Sequence, residues 1–309
     1  MKRLALILFS VYSVMPSNAQ HLSATNSAEG TAILDGDSNV LFYQAKPKSL
    51  NGKYERADYI HPLYSLDGSV LTEDFPQDHL HHRGIFWAWH QIIYRGKHIA
   101  DAWSCENISW HVVKSEVQKK KGSITLDNDV IWKSVLDDGK QTGVVREKSQ
   151  VTIYNAHNDY RIVDFDIRLT PLLDDMRIGG SDDAKGYSGF SVRLKLPDDI
   201  RFLSGDQELK AQELALKAGP WLDFRGSFDG KNAPESGVAL FCHPSNPGYP
   251  EPWIIRSEKS MQNAAFPGRE PVALPKAGWR LQYRLIIHKN TVTVERLQHL
   301  FDEYRKSKK

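Results

Sequence analysis

Between Lys114 and Thr170 the chain alternates apolar and polar side chains almost without a break, and no other feature constrains the fold as tightly. Arg161 to Thr170 puts Val163, Phe165, Ile167 and Leu169 on one side of an extended backbone and Asp164, Asp166 and Arg168 on the other. Ser123 to Leu136 and Val144 to Tyr154 repeat the pattern around the turn Asp137-Asp-Gly-Lys140, and Asn155 to Asp159 has the composition of a hairpin loop. A period of two over whole segments means antiparallel strands with one face buried. Ser38 to Ala45, Gly186 to Leu196, Ser236 to His243 and Trp279 to His288 read the same way, the last with Leu281, Tyr283, Leu285 and Ile287 inward. Helical spacing appears at Val294, Leu297, Leu300, Phe301 and Tyr304, and Glu208 to Lys217 is expected to form a short helix. The expected fold is therefore all-β: one large antiparallel sandwich of two sheets, supersandwich-like, with a C-terminal helix.

The N-terminus carries a different signal. Met1-Lys-Arg, the apolar run Leu4 to Val14 and Pro16-Ser-Asn-Ala19 describe a secretory signal peptide over residues 1–19, cut after Ala19. The run is too short to span a bilayer, which takes about 20 residues. The expectation is an exported, periplasmic or extracellular protein, a disordered lead-in from Gln20 to about Glu29, and one domain over residues 20–309. A net charge of +2 with scattered Lys and Arg gives no nucleic-acid footprint, and no glycine-rich pattern suggests a nucleotide cofactor. Cys105 and Cys242 either pair, as an oxidising compartment permits, or remain free thiols.

The chemistry is expected in Asp74-Phe-Pro-Gln-Asp-His-Leu-His-His-Arg-Gly-Ile-Phe-Trp-Ala-Trp-His90. Histidine titrates closest to physiological pH and is the commonest metal ligand, and six of the chain's twelve histidines lie between His61 and His98. On a strand, His79 and His81 would share a face and reach one divalent ion, with His82 turned away. The carboxylate that such a His-x-His site uses a few residues on is absent. The other reading is proton transfer: His79, His81 and His82 as acid or base, Asp78 orienting a histidine, and Arg83 holding an anionic group. Sugar rings stack on aromatic faces, so Trp89, Trp103 and Trp253 join His90, Arg193, His243 and Asn246 as expected substrate contacts. His243-Pro-Ser-Asn-Pro-Gly-Tyr-Pro-Glu-Pro-Trp253 is a proline-fixed loop of the kind that holds binding residues in place. Gly186-Tyr-Ser-Gly-Phe-Ser-Val-Arg193 supplies small residues for close approach to the backbone.

Four segments together, His61-Pro-Leu-Tyr, Asp74 to His90, Gly186 to Arg193 and His243-Pro-Ser-Asn-Pro, resemble the bacterial PmoA-like domain of unknown function. The resemblance spans most of the chain after the signal. It implies an exported protein in a polysaccharide-degrading context and supplies no catalytic residue. The methane monooxygenase subunit that the family's name alludes to is polytopic, whereas this chain has no span beyond its apolar head. One departure is Ser104-Cys-Glu-Asn107, where a glycine-rich turn is expected. The leading expectation is a carbohydrate-active lyase or hydrolase with a histidine-rich site. A non-catalytic carbohydrate-binding or envelope protein is the alternative, and a metal-dependent oxygenase the third.

Overall fold

The computed structural model describes residues 22–307. The expected signal peptide lies outside the described residues. The disordered lead-in is corrected: Leu22–Asn26 is a strand, paired antiparallel with Gly30–Asp35.

Two large antiparallel sheets carry the fold, as the alternation predicts. The first has eight strands, in spatial order Leu22–Asn26, Gly30–Asp35, Ser38–Gln44, Tyr59–Leu63, Ile85–Trp89, Ser188–Val192, Gln262–Ala264 and Trp253–Ile254. The second has nine: Ser109–Lys120, Ser123–Val135, Gln141–Tyr154, Tyr160–Pro171, Trp279–Lys289, Ser236–Cys242, Trp221–Gly226, Arg201–Ser204 and Gln207–Leu209. A four-stranded sheet and the hairpin of Lys48–Leu50 with Lys53–Arg56 sit beside them.

Aromatic side chains join the two large sheets. Trp87 and Phe190 of the first stack at 6.2 Å, Phe165 of the second meets Phe190 at 4.9 Å, and Tyr283 stacks on Phe190 at 4.4 Å. Such pairs add about 0.5–1.5 kcal/mol each to the area they bury. The one ionisable group on the inner face of Gln141–Tyr154 is Glu147, whose Oε2 accepts from the indoles of Trp87 (2.9 Å) and Trp132 (3.0 Å). Burial, and then the Asp58 carboxyl beside it, push its pKa well up, so the group avoids the cost of an unpaired charge in the core.

The helix Val294–Tyr304 lies on the outer face of the nine-stranded sheet. Thr293 caps it by accepting from the Arg296 amide, and Leu297, Leu300, Phe301 and Tyr304 are buried against Trp221, Phe241 and Ile286. The helix expected at Glu208 to Lys217 is absent. Gln207–Leu209 instead pairs back on Arg201–Ser204, and Arg256 bonds the carbonyls of Gln212 and Glu213 outside any helix. Cys105 and Cys242 are free.

Candidate functional site

One local break makes the site. Ile85 to Tyr94, which has strand composition throughout, is two strands. Ile85–Trp89 belongs to the first large sheet and Gln91–Tyr94 to the four-stranded one. His90 sits between them and is turned out of both ladders. Gly84 fixes the entry to this segment, because a Cβ there would fall 2.0 Å from the Ile60 carbonyl oxygen.

The preceding residues form turns and not a strand: the His79 amide donates to the Pro76 carbonyl and the His82 amide to the His79 carbonyl. The alternation expected of His79 and His81 therefore fails, and His82 joins them. His79 and His82 stack at 4.6 Å with 3° between their planes, and His81 meets His82 edge-on at 4.5 Å. Nitrogen lone pairs lie in the ring plane, so two parallel stacked rings cannot both aim at one ion about 2.0–2.1 Å from each. Among the described residues no three His, Cys, Asp or Glu side chains are placed to hold a metal. The stacking argues against a His79–His82 ligand pair, and the His79 and His81 considered from sequence, 5.8 Å apart between ring centroids at 82°, gather no third donor among the described residues.

Two histidine–carboxylate pairs stand out instead. His79 Nδ1 lies 2.8 Å from Asp78 Oδ2, and His90 Nδ1 lies 2.8 Å from Asp101 Oδ2. Burial alone would raise both carboxyls. The His79 hydrogen bond and the Arg193 guanidinium override it at Asp78; the His90 contact and the amides of Trp103 and Ser104 override it at Asp101. Both aspartates end below the usual carboxylate range, ionised and able only to accept. Each Nδ1 must therefore carry the proton, which leaves the lone pair of a neutral imidazole on Nε2. Neither Nε2 has a hydrogen-bond partner among the described residues.

His81 sits among these groups. Burial, followed by the nearby charges of His79, His90 and Arg56, lowers its pKa to about 4. Burial drives His82 lower still. Both are neutral at physiological pH. The frame behind them is rigid: Arg193, 3% exposed, donates to Glu73 (2.8 Å) and to both Asp78 oxygens (2.8 and 3.0 Å). Trp103 stacks on His90 at 5.3 Å and meets Phe86 and Tyr187 edge-on or tilted. Tyr187 in turn accepts from Arg256.

Several sequence expectations are corrected. Arg83 is fully buried, donates to Asp74 Oδ1 and to the carbonyls of Lys48 and Tyr54, and lies over Phe75. It pins the motif to the neighbouring hairpin, its guanidinium engaged by these protein partners. Trp89 and Trp253 are core residues, their indoles donating to the carbonyls of Phe266 and Gly219. Trp103 is 2% exposed and offers no free face to a sugar. Arg193 is committed to two carboxylates. His243 and Asn246 engage Ser245, Glu251, Gln282 and Tyr304 in another part of the molecule. Sequence reasoning missed Glu73, Asp101, Tyr187 and Arg256. Asp101 is eleven residues from His90, a separation for which no local spacing rule exists, and the others are brought in by the sheet.

The model of a protein family of unknown function, DUF6807, matches residues 30–302. The chain belongs to this family. The match takes in both large sheets except the strand Leu22–Asn26, and every residue of the histidine cluster. No curated protein matches the chain.

Proposed function

We propose that the protein is an exported carbohydrate-active enzyme of the lyase or hydrolase type, in which His79–Asp78 and His90–Asp101 move the protons. The observation that carries this reading is the pair of imidazoles, each held through Nδ1 by an ionised aspartate with Nε2 unengaged. Two such groups supply the two halves of an elimination or hydrolysis. A neutral imidazole takes a proton from a sugar carbon or from water, and a protonated one delivers a proton to the departing glycosidic oxygen. His81, neutral and with no hydrogen bond to its ring among the described residues, is suited to donate to or accept from the substrate without adding charge. The PmoA-like resemblance adds the exported, polysaccharide-degrading context.

The test is turnover. Purified protein is incubated with a panel of polysaccharides and aryl glycosides, and products are read by mass spectrometry. His79→Asn and His90→Asn should each lower turnover about 100- to 10,000-fold with an unchanged circular dichroism spectrum. Full activity in either variant removes that histidine from the mechanism. Binding by the wild type without any product would favour the non-catalytic reading.

A further inference from the structure

A concavity of about 440 Å³ opens directly against Asp78, Arg193 and Glu73 and continues past Ser257 and Ser260. A second, of about 490 Å³, is walled by Phe228, Lys231 and Asn232. The segment Leu196-Pro197-Asp198 lines both, so the two adjoin along it. Each is of the size that takes a whole small ligand, about 300–1,000 Å³. We infer that this cleft is the binding site for a neutral oligosaccharide chain, entered at the second cavity and ending at Asp78. The inference rests on the proton-transfer reading for its reacting end only.

Charge and surface chemistry select the ligand. In the cavity beside Asp78 the buried Arg193 is committed to Glu73 and Asp78, and the exposed Lys259 is offset by Glu258 at 3.6 Å. Asp198 has no partner among the described residues, so a uronate or sulfated chain would meet an unneutralised carboxylate at close range. In the second cavity two lysines, Lys195 and Lys231, face two aspartates, Asp198 and Asp199. The half-buried side chains of Leu196, Pro197 and Phe228 give an apolar floor for the C–H faces of sugar rings, while Asp198, Asn232 and Ser257 offer hydrogen bonds to hydroxyls. The cleft is preformed: Ser227 donates to Asp199 from its amide (2.9 Å) and hydroxyl (2.7 Å), and Gly226 packs against Pro197 so closely that a Cβ would lie 2.6 Å from its ring. A rigid cleft loses little affinity to ordering on binding.

The experiment is calorimetric titration of the full chain carrying His90→Asn, the variant expected to suppress turnover. The probes are neutral gluco-, xylo- and manno-oligosaccharides of two to five units, and oligogalacturonates of the same lengths. At least one neutral series should tighten about tenfold from two to four units, and the uronates should bind at least tenfold more weakly. Phe228→Ala should abolish the gain with length. Asp198→Arg, confirmed folded by circular dichroism, should raise uronate affinity. Equal or tighter uronate binding, affinity that does not change with length, or no binding by any neutral series overturns the proposal. The proton-transfer reading is judged separately, by turnover in the His79 and His90 variants.

Discussion

The loops Asp74 to His82 and His243 to Trp253 look alike in sequence, each a histidine- and proline-bearing stretch leading towards a tryptophan, yet they serve opposite ends. In the first, His79 spends one ring nitrogen on an aspartate and keeps the other clear, as His90 does at the end of the following strand, and His79 remains 42% exposed at its side chain. In the second, the polar groups turn inward: Asn246 donates to Glu251 (2.9 Å) and to the Gln282 carbonyl (2.9 Å), and its oxygen accepts from the Gln282 amide (2.7 Å). Trp253 closes the loop with no exposed surface. Composition does not separate a reactive loop from a structural clasp. What separates them is whether the hydrogen-bonding capacity of the side chains is used up within the fold.

The contrast is sharpest in substitutions that should harm one property and spare the other. Asp101→Asn, which allows the His90 tautomer to reverse, should lower turnover about 100- to 10,000-fold with a urea unfolding midpoint close to wild type. Trp253→Ala should do the reverse, costing about 3–5 kcal/mol of stability from the cavity it leaves while the folded fraction keeps its turnover. A stability loss in Asp101→Asn as large as that in Trp253→Ala would make the first loop a structural clasp as well. The next effect is smaller. Asn246→Ala strips partners from a buried carboxyl, a carbonyl and an amide, and should cost about 1–3 kcal/mol, measured by chemical denaturation.

The long strands were legible because alternation is a local signal and the core rewards it directly. Arg161 to Thr170 is found as Tyr160–Pro171, Trp279 to His288 as Trp279–Lys289, and the helix begins at Val294. The histidine stretch was legible as a concentration of chemistry, but its geometry was not. A strand reading turned His82 away, whereas the turn stacks it on His79. Asp101 became a partner only because the chain reverses through Gln91–Tyr94 and Lys97–Ala100, bringing its carboxylate back to His90. The tryptophans misled for a related reason. Stacking on sugar and packing in a core use the same apolar face, and only the sheet register decides which one Trp89 and Trp253 meet.

The smallest expected effect concerns pH, and here the two loops should respond with opposite sign. His81 has a folded-state pKa lowered to about 4 by burial and neighbouring cations, against about 6.5 when unfolded. The unfolded chain therefore binds more protons, and this group's contribution to stability is lost as pH falls from about 6.5 towards 4. Asp78 and Asp101, also depressed, extend the loss below about 3.9. Glu251 behaves the other way. Burial raises its carboxyl despite the Asn246 hydrogen bond, so its contribution is present below about 4.3 and is lost as pH rises through the raised folded value. Hydrogen exchange by mass spectrometry, corrected for intrinsic rates, can read the two loops separately. Between pH 7 and 5, protection over residues 77–83 should fall and protection over residues 244–252 should hold or rise. His81→Gln should shrink the change in the first loop alone, the remainder coming from His82, which burial depresses further. Parallel falls in both loops would mean that a global opening governs exchange and that neither local charge arrangement sets it.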